Sequence, residues 1–191
     1  EQGTLQAIVP RPLHRWQIVV GKWLGFAAML GAYVVLAGLV VAATTWALSG
    51  YISPNLAPGL ALMALESILL LSLGMALSSA MPALTTGITG FILYAAAGVA
   101  GMVEQLGRAI RNQTMIDIGI STSLVIPSDA IWKMAAYQLQ PPRAVDPLTM
   151  AGVSGPFSVV TPPSVWMGLY ALLYTLVALG VACLVFSRRD L

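Results

Sequence analysis

The hydrophobic positions of this chain run unbroken over stretches the width of a bilayer, with almost no polar residue among them. A helix that crosses a membrane needs about 20 apolar residues, and four stretches qualify: 23–48, 59–81, 86–103 and the span within 164–191. The first ends at a turn signal, Ser49-Gly50-Tyr51-Ile52-Ser53-Pro54. Only the break around Pro82 separates the second from the third, which predicts a tight helical hairpin; the third is short and rich in Gly and Ala. The fourth follows Pro162-Pro163, suited to a helix start, and stops at Ser187-Arg188-Arg189.

The flanking segments have a different pattern. Residues 1–22 carry an apolar stripe at Leu5, Ile8 and Val9, which predicts a short amphipathic helix. Pro10 and Pro12 then interrupt the chain, and a second helix restarts at Leu13 and runs through Trp16 and Lys22 into the first span. In the loop 104–163, Glu104 and Arg108 form an i,i+4 pair that lets the third helix continue past the membrane surface. Ser128 is a candidate N-cap for a helix through Tyr137, whose apolar side (Ile126, Ile131, Trp132, Ala135) suits the headgroups or the bundle. Residues 140–163, rich in Pro, Gly, Ser and Thr, read as a connector. The expected fold is an all-α membrane protein. It comprises a bundle of four transmembrane helices, an N-terminal amphipathic helix and a partly helical outer loop, 104–163.

Composition sharpens this picture. Hydrophobic residues make up 58% of the 191 and charged residues 8%, against about 25% charged in soluble domains. Mean hydropathy is +0.86. Residues 23–65, 67–103 and 147–187 carry no charge, which excludes a water-soluble monomer. One Cys and one His cannot build a zinc, iron–sulfur or disulfide framework alone. No basic run exceeds Arg188-Arg189, so no nucleic-acid partner is expected. Gly21-Lys22 is followed by Trp23 and lacks the upstream Gly of a phosphate loop. No cofactor and no catalysis by this chain are expected: the only His lies in the leading segment, and no Asp falls within a span to serve as a base. The sequence opens on Glu1 and shows no signal peptide, so the chain is expected to be processed or a piece of something longer.

Basic residues orient the bundle. Arg11, Arg15 and Lys22 precede the first span and Arg188 and Arg189 follow the last, while the short loops 49–58 and 82–85 are uncharged. The positive-inside rule puts both termini in the cytoplasm. Arg11, Arg15, Trp16 and Trp23 suit headgroup anchors, or a cytoplasmic helix that a partner can push. Small residues recur at packing spacing in Gly21-x-x-x-Gly25, Gly74-x-x-x-Ser78 and Ala97-x-x-x-Gly101, which fit packing within the bundle or a homodimer seam. Glu66 is the only ionisable residue well inside a predicted span, roughly 10 Å into a core about 30 Å thick. It should therefore face protein or a water-filled cavity, either as a satisfied structural carboxyl or as part of a substrate or proton path.

Three motifs carry a family resemblance: Glu1-Gln2-Gly3-Thr4-Leu5, then Pro10-Arg11-Pro12-Leu13-His14-Arg15-Trp16, then Gly21-Lys22 leading into a membrane helix. This arrangement resembles the type-2 ABC transporter permease family (ABC-2 type). The tail Phe186-Ser187-Arg188-Arg189-Asp190-Leu191 and the segment Pro127-Ser128-Asp129-Ala130-Ile131-Trp132 look like that family's ending and outer region. The resemblance implies a permease with six spans, of which roughly the first third would lie outside this sequence. It implies that residues 1–9 correspond to a coupling helix docking on a separate ATP-binding subunit. Glu1, Gly3, Thr4, Leu5, Pro10, Arg11, Arg15, Gly21 and Lys22 then belong to the coupling region. It further implies two permease subunits forming a pathway and export by alternating access, in a bacterial or archaeal plasma membrane. Outside the resemblance, a secondary transporter fragment and a non-transporting membrane scaffold stay open.

Overall fold

The computed structural model describes residues 15–140, 159 and 164–188. The described residues form six helices and no strand: α1 (Arg15–Ser49), α2 (Leu56–Ala80), α3 (Ala83–Ala109), α4 (Gln113–Val125), α5 (Ser128–Leu139) and α6 (Val165–Arg188). Four of them, α1, α2, α3 and α6, are long and apolar enough to cross a membrane. The chain is thus an all-α integral membrane bundle. The proposed break at Pro10 and Pro12 lies outside the described residues.

Helix ends follow local chemistry. α1 has 35 residues, about 52 Å at 1.5 Å per residue, and so outlasts a hydrocarbon core of about 30 Å. It ends at Gly50, whose φ of 69° closes the helix, with its N–H donating to Trp46 O at 2.8 Å. Pro82 caps the N-terminus of α3 with extended backbone. α3 has 27 residues and is longer than the predicted 86–103. Glu104 and Arg108 neutralise each other at 2.6 Å, which removes the reason for the helix to stop there.

The interior is built from small residues, while large ones face outward. Ala97, Ala100, Ala130, Ala135, Ala171, Ala178 and Ala182 are buried, whereas Phe91, Ile92, Leu176, Val40 and many similar side chains are exposed. This inversion is what lipid as a solvent dictates, since helices gain from close backbone approach and not from hiding Leu. Leu69 of α2, Ile131 of α5 and Ala171 of α6 form the central cluster. Hydroxyls within the spans return to their own helix: Ser67 to Met63 O, Ser72 to Ile68 O and Thr175 to Ala171 O. Ser72 Oγ also accepts Trp23 Nε1–H at 2.8 Å, which joins α1 to α2. Trp23 is thus tied to a neighbouring helix.

The helices after α3 turn back into the bundle. α4 runs antiparallel against α3: a Cβ on Gly107 would meet Met115, and one on Gly119 would overlap Glu104. Tyr170 Oη of α6 donates to Leu124 O at 2.5 Å. α5 then climbs out between α2 and α6, from Ile131 beside Leu69 to Leu139 beside Gly59, and Ser53 Oγ donates to Gln138 O at 3.0 Å. The α4–α5 elbow, Ile126-Pro127-Ser128, is buried. Non-helical backbone at this depth is tolerated because protein surrounds it. Of the two sides offered for the Ile126–Ala135 face, the bundle takes it.

Candidate functional site: a buried charge cluster beside a cavity

Ser128 is the first residue of α5, and Pro127 occupies the N-cap position instead of it. The expected capping role is therefore replaced. Ser128 is fully buried, and its Oγ has no hydrogen-bond partner among the described residues.

The next residue, Asp129, forms an i,i+4 pair with Lys133, Lys133 Nζ to Asp129 Oδ2 at 2.7 Å. Lys133 Nζ also lies 2.9 Å from Glu104 Oε2 and donates to Gly101 O at 3.3 Å. Arg108 completes the cluster by binding Glu104 Oε1 at 2.6 Å. Two carboxylates are balanced by buried Lys133 and by Arg108, whose side chain is half exposed. The Lys133 side chain is only 8% exposed. Glycine makes the cluster possible: the Asp129 carboxylate lies directly against Gly101, where any Cβ would displace it, and Gly119 opens room for Glu104. Burial pushes the Asp129 carboxyl above the usual carboxylate range, and its bond to Lys133 draws it down by less than burial raises it.

Beside the cluster lies a cavity of about 320 Å³ between α2, α3 and α5, at the small end of the range for ligand pockets. Glu66, Tyr94, Gln105, Ser128, Asp129 and Trp132 give it polar and aromatic walls, and Val99 and Met102 give it apolar ones. Glu66 is buried, 8% exposed. Among the described residues no Lys or Arg forms an ion pair with it. The expectation that Glu66 faces protein or a cavity thus has a definite location. No group of three His, Cys, Asp or Glu able to hold a metal occurs among the described residues.

The remaining candidate residues do not converge here. Glu1, Gly3, Thr4, Leu5, Pro10 and Arg11 lie outside the described residues, and Arg15 opens α1. Lys22 is exposed on α1, and Gly21 has open space around it. Gly25 and Gly74 are equally open, so of the three small-residue motifs only Ala97-x-x-x-Gly101 lies at a contact within the chain. Asp129, Lys133, Tyr94 and Ser128 were missed as site residues. The spacing of Asp129 and Lys133 matched that of Glu104 and Arg108 and was the available signal.

No curated protein and no solved structure matches the chain. A family model described as ABC-2 family transporter protein matches residues 1–191. That match spans every motif on which the resemblance rested, and with four membrane-crossing helices it assigns the chain: it belongs to the ABC-2 transporter family.

Proposed function

We propose that the chain is the membrane-spanning permease subunit of an ABC exporter, working with a separate ATP-binding subunit and a second permease subunit. The observation that carries this reading is the family match over the whole chain. ABC-2 permeases normally work with an ATP-binding subunit, and the absence of a phosphate loop from the sequence agrees. In this reading both termini are cytoplasmic, and the membrane is a bacterial or archaeal plasma membrane. Residues 1–9 form the coupling helix, with Arg11 and Arg15 behind it. α1, extending well beyond a hydrocarbon core, is the lever that carries motion of the ATPase into the bundle. The cavity between α2, α3 and α5 is the portion of the pathway that this subunit contributes.

The test is co-purification of the full-length protein in detergent, with identification of the chains that accompany it. An ATP-binding subunit is expected in the complex. Scrambling residues 1–9, or reversing the charges of Arg11 and Arg15, should weaken its association while leaving the permease in the membrane. A permease that emerges alone, without ATPase activity, overturns the proposal.

A further inference from the structure

The cavity beside the charge cluster holds one carboxyl more than its surroundings balance. Glu104 and Asp129 are matched by Arg108 and Lys133, whereas Glu66 projects from α2 with no ion-pair partner among the described residues. A second buried polar group, the Ser128 hydroxyl, belongs to the same wall and has no hydrogen-bond partner among the described residues. Buried polar groups left in this condition are costly, and a ligand that supplies the missing partner recovers that cost. The rest of the lining indicates what kind. Tyr94 and Trp132 offer aromatic surface of the sort that attracts cations, and Val99 and Met102 offer apolar contact. A volume of about 320 Å³ is far more than a dehydrated metal ion needs. The donors typical of a metal site are lacking among the described residues. Tyr94, Val99 and Met102 are also exposed, so the cavity is open on the α3 side.

We propose that this cavity binds an organic ammonium, its charged head paired with Glu66 and its apolar body against Tyr94 and Trp132. Ser128 Oγ supplies a hydrogen-bonding group at the closed end. Only the description of this ligand as transport substrate rests on the permease reading; binding itself requires no ATPase.

The full-length protein in lipid nanodiscs is titrated with benzyltrimethylammonium by calorimetry. A parallel titration uses 2,2-dimethylpropylbenzene, the same shape without the charge. The ammonium is expected to bind at least tenfold more tightly than its neutral counterpart. Glu66→Gln is expected to weaken the ammonium at least tenfold and to leave the neutral compound unaffected. Tyr94→Leu, on the exposed wall, is expected to weaken the ammonium several-fold and gives a second reading should Glu66→Gln fail to fold. Equal affinity for the two compounds, ammonium binding unchanged in both variants, or no saturable binding overturns the proposal. So does displacement by sodium at equal concentration, which would make this an inorganic cation site. Any of these results leaves the permease reading standing, because co-purification tests that separately.

Discussion

Lys133 is a nearly buried cation, bonded to Glu104, Asp129 and the Gly101 carbonyl. Its removal exposes the cost of that arrangement. Lys133→Met leaves two carboxylates facing a hydrophobic side chain, and losing one partner of a buried pair costs about 3 kcal/mol or more. The triple variant Glu104→Gln, Asp129→Asn, Lys133→Met removes the buried charges together, leaving only the half-exposed Arg108, and is expected to be more stable than the single variant. Unfolding by denaturant in micelles measures both; a single variant no worse than the triple would show that the cluster is not electrostatically coupled. The same residues mark a limit of sequence reading. Glu104–Arg108 was visible because an i,i+4 pair is local. Its link to Lys133, 29 positions on, depends on two glycines that admit the side chains, and spacing does not reveal what faces a glycine.

At the scale of elements, the turn from α3 to α4 contains the one described non-glycine residue with positive φ, Arg111 at 56°. An L-residue pays roughly 1–2 kcal/mol in the left-handed region, and glycine does not. Part of that gain is lost to the greater freedom of glycine in the unfolded chain. Arg111→Gly is therefore expected to stabilise by about 0.5–1 kcal/mol, read as a higher melting temperature in detergent; a lower one would show that the Arg111 side chain contributes more than its backbone costs. The four long helices were legible in the sequence because lipid requires long apolar runs whatever their neighbours. The inward path of α4 and α5 was not. Asp117, Ser123, Asp129 and Lys133 give the segment a polar pattern, and the burial of Ser123 and the link from Lys133 to Glu104 arise only once the neighbouring helices are in place.

At the scale of the molecule, three helices hold the centre while α1 stays peripheral. Leu69, Ile131 and Ala171 join α2, α5 and α6, whereas α1 meets them mainly along one edge, with Val19 buried and Trp23 bonded to Ser72. A helix attached along one edge and much longer than the bilayer is suited to tilt as a unit, which is what the proposed lever requires. Coupling of this kind needs states that contact the lever differently, and the Trp23–Ser72 bond is a contact that such a tilt would change.

The buried α4–α5 elbow has a bearing on how sidedness is measured. In a background with Cys183→Ala, single cysteines at Asn112, Ile131 and Gln140 can be challenged with a membrane-impermeant maleimide. Asn112→Cys and Gln140→Cys are expected to react from the same side, and Ile131→Cys only after denaturation. Reaction of the two flanking sites from opposite sides would mean that α4 and α5 together make one crossing. A map that scored each protected stretch as a crossing would count five where four helices span, because the buried elbow joins α4 and α5 into one protected stretch. Because the detour enters and leaves by one face, that excess is odd, and such a map would assign every later segment to the wrong side.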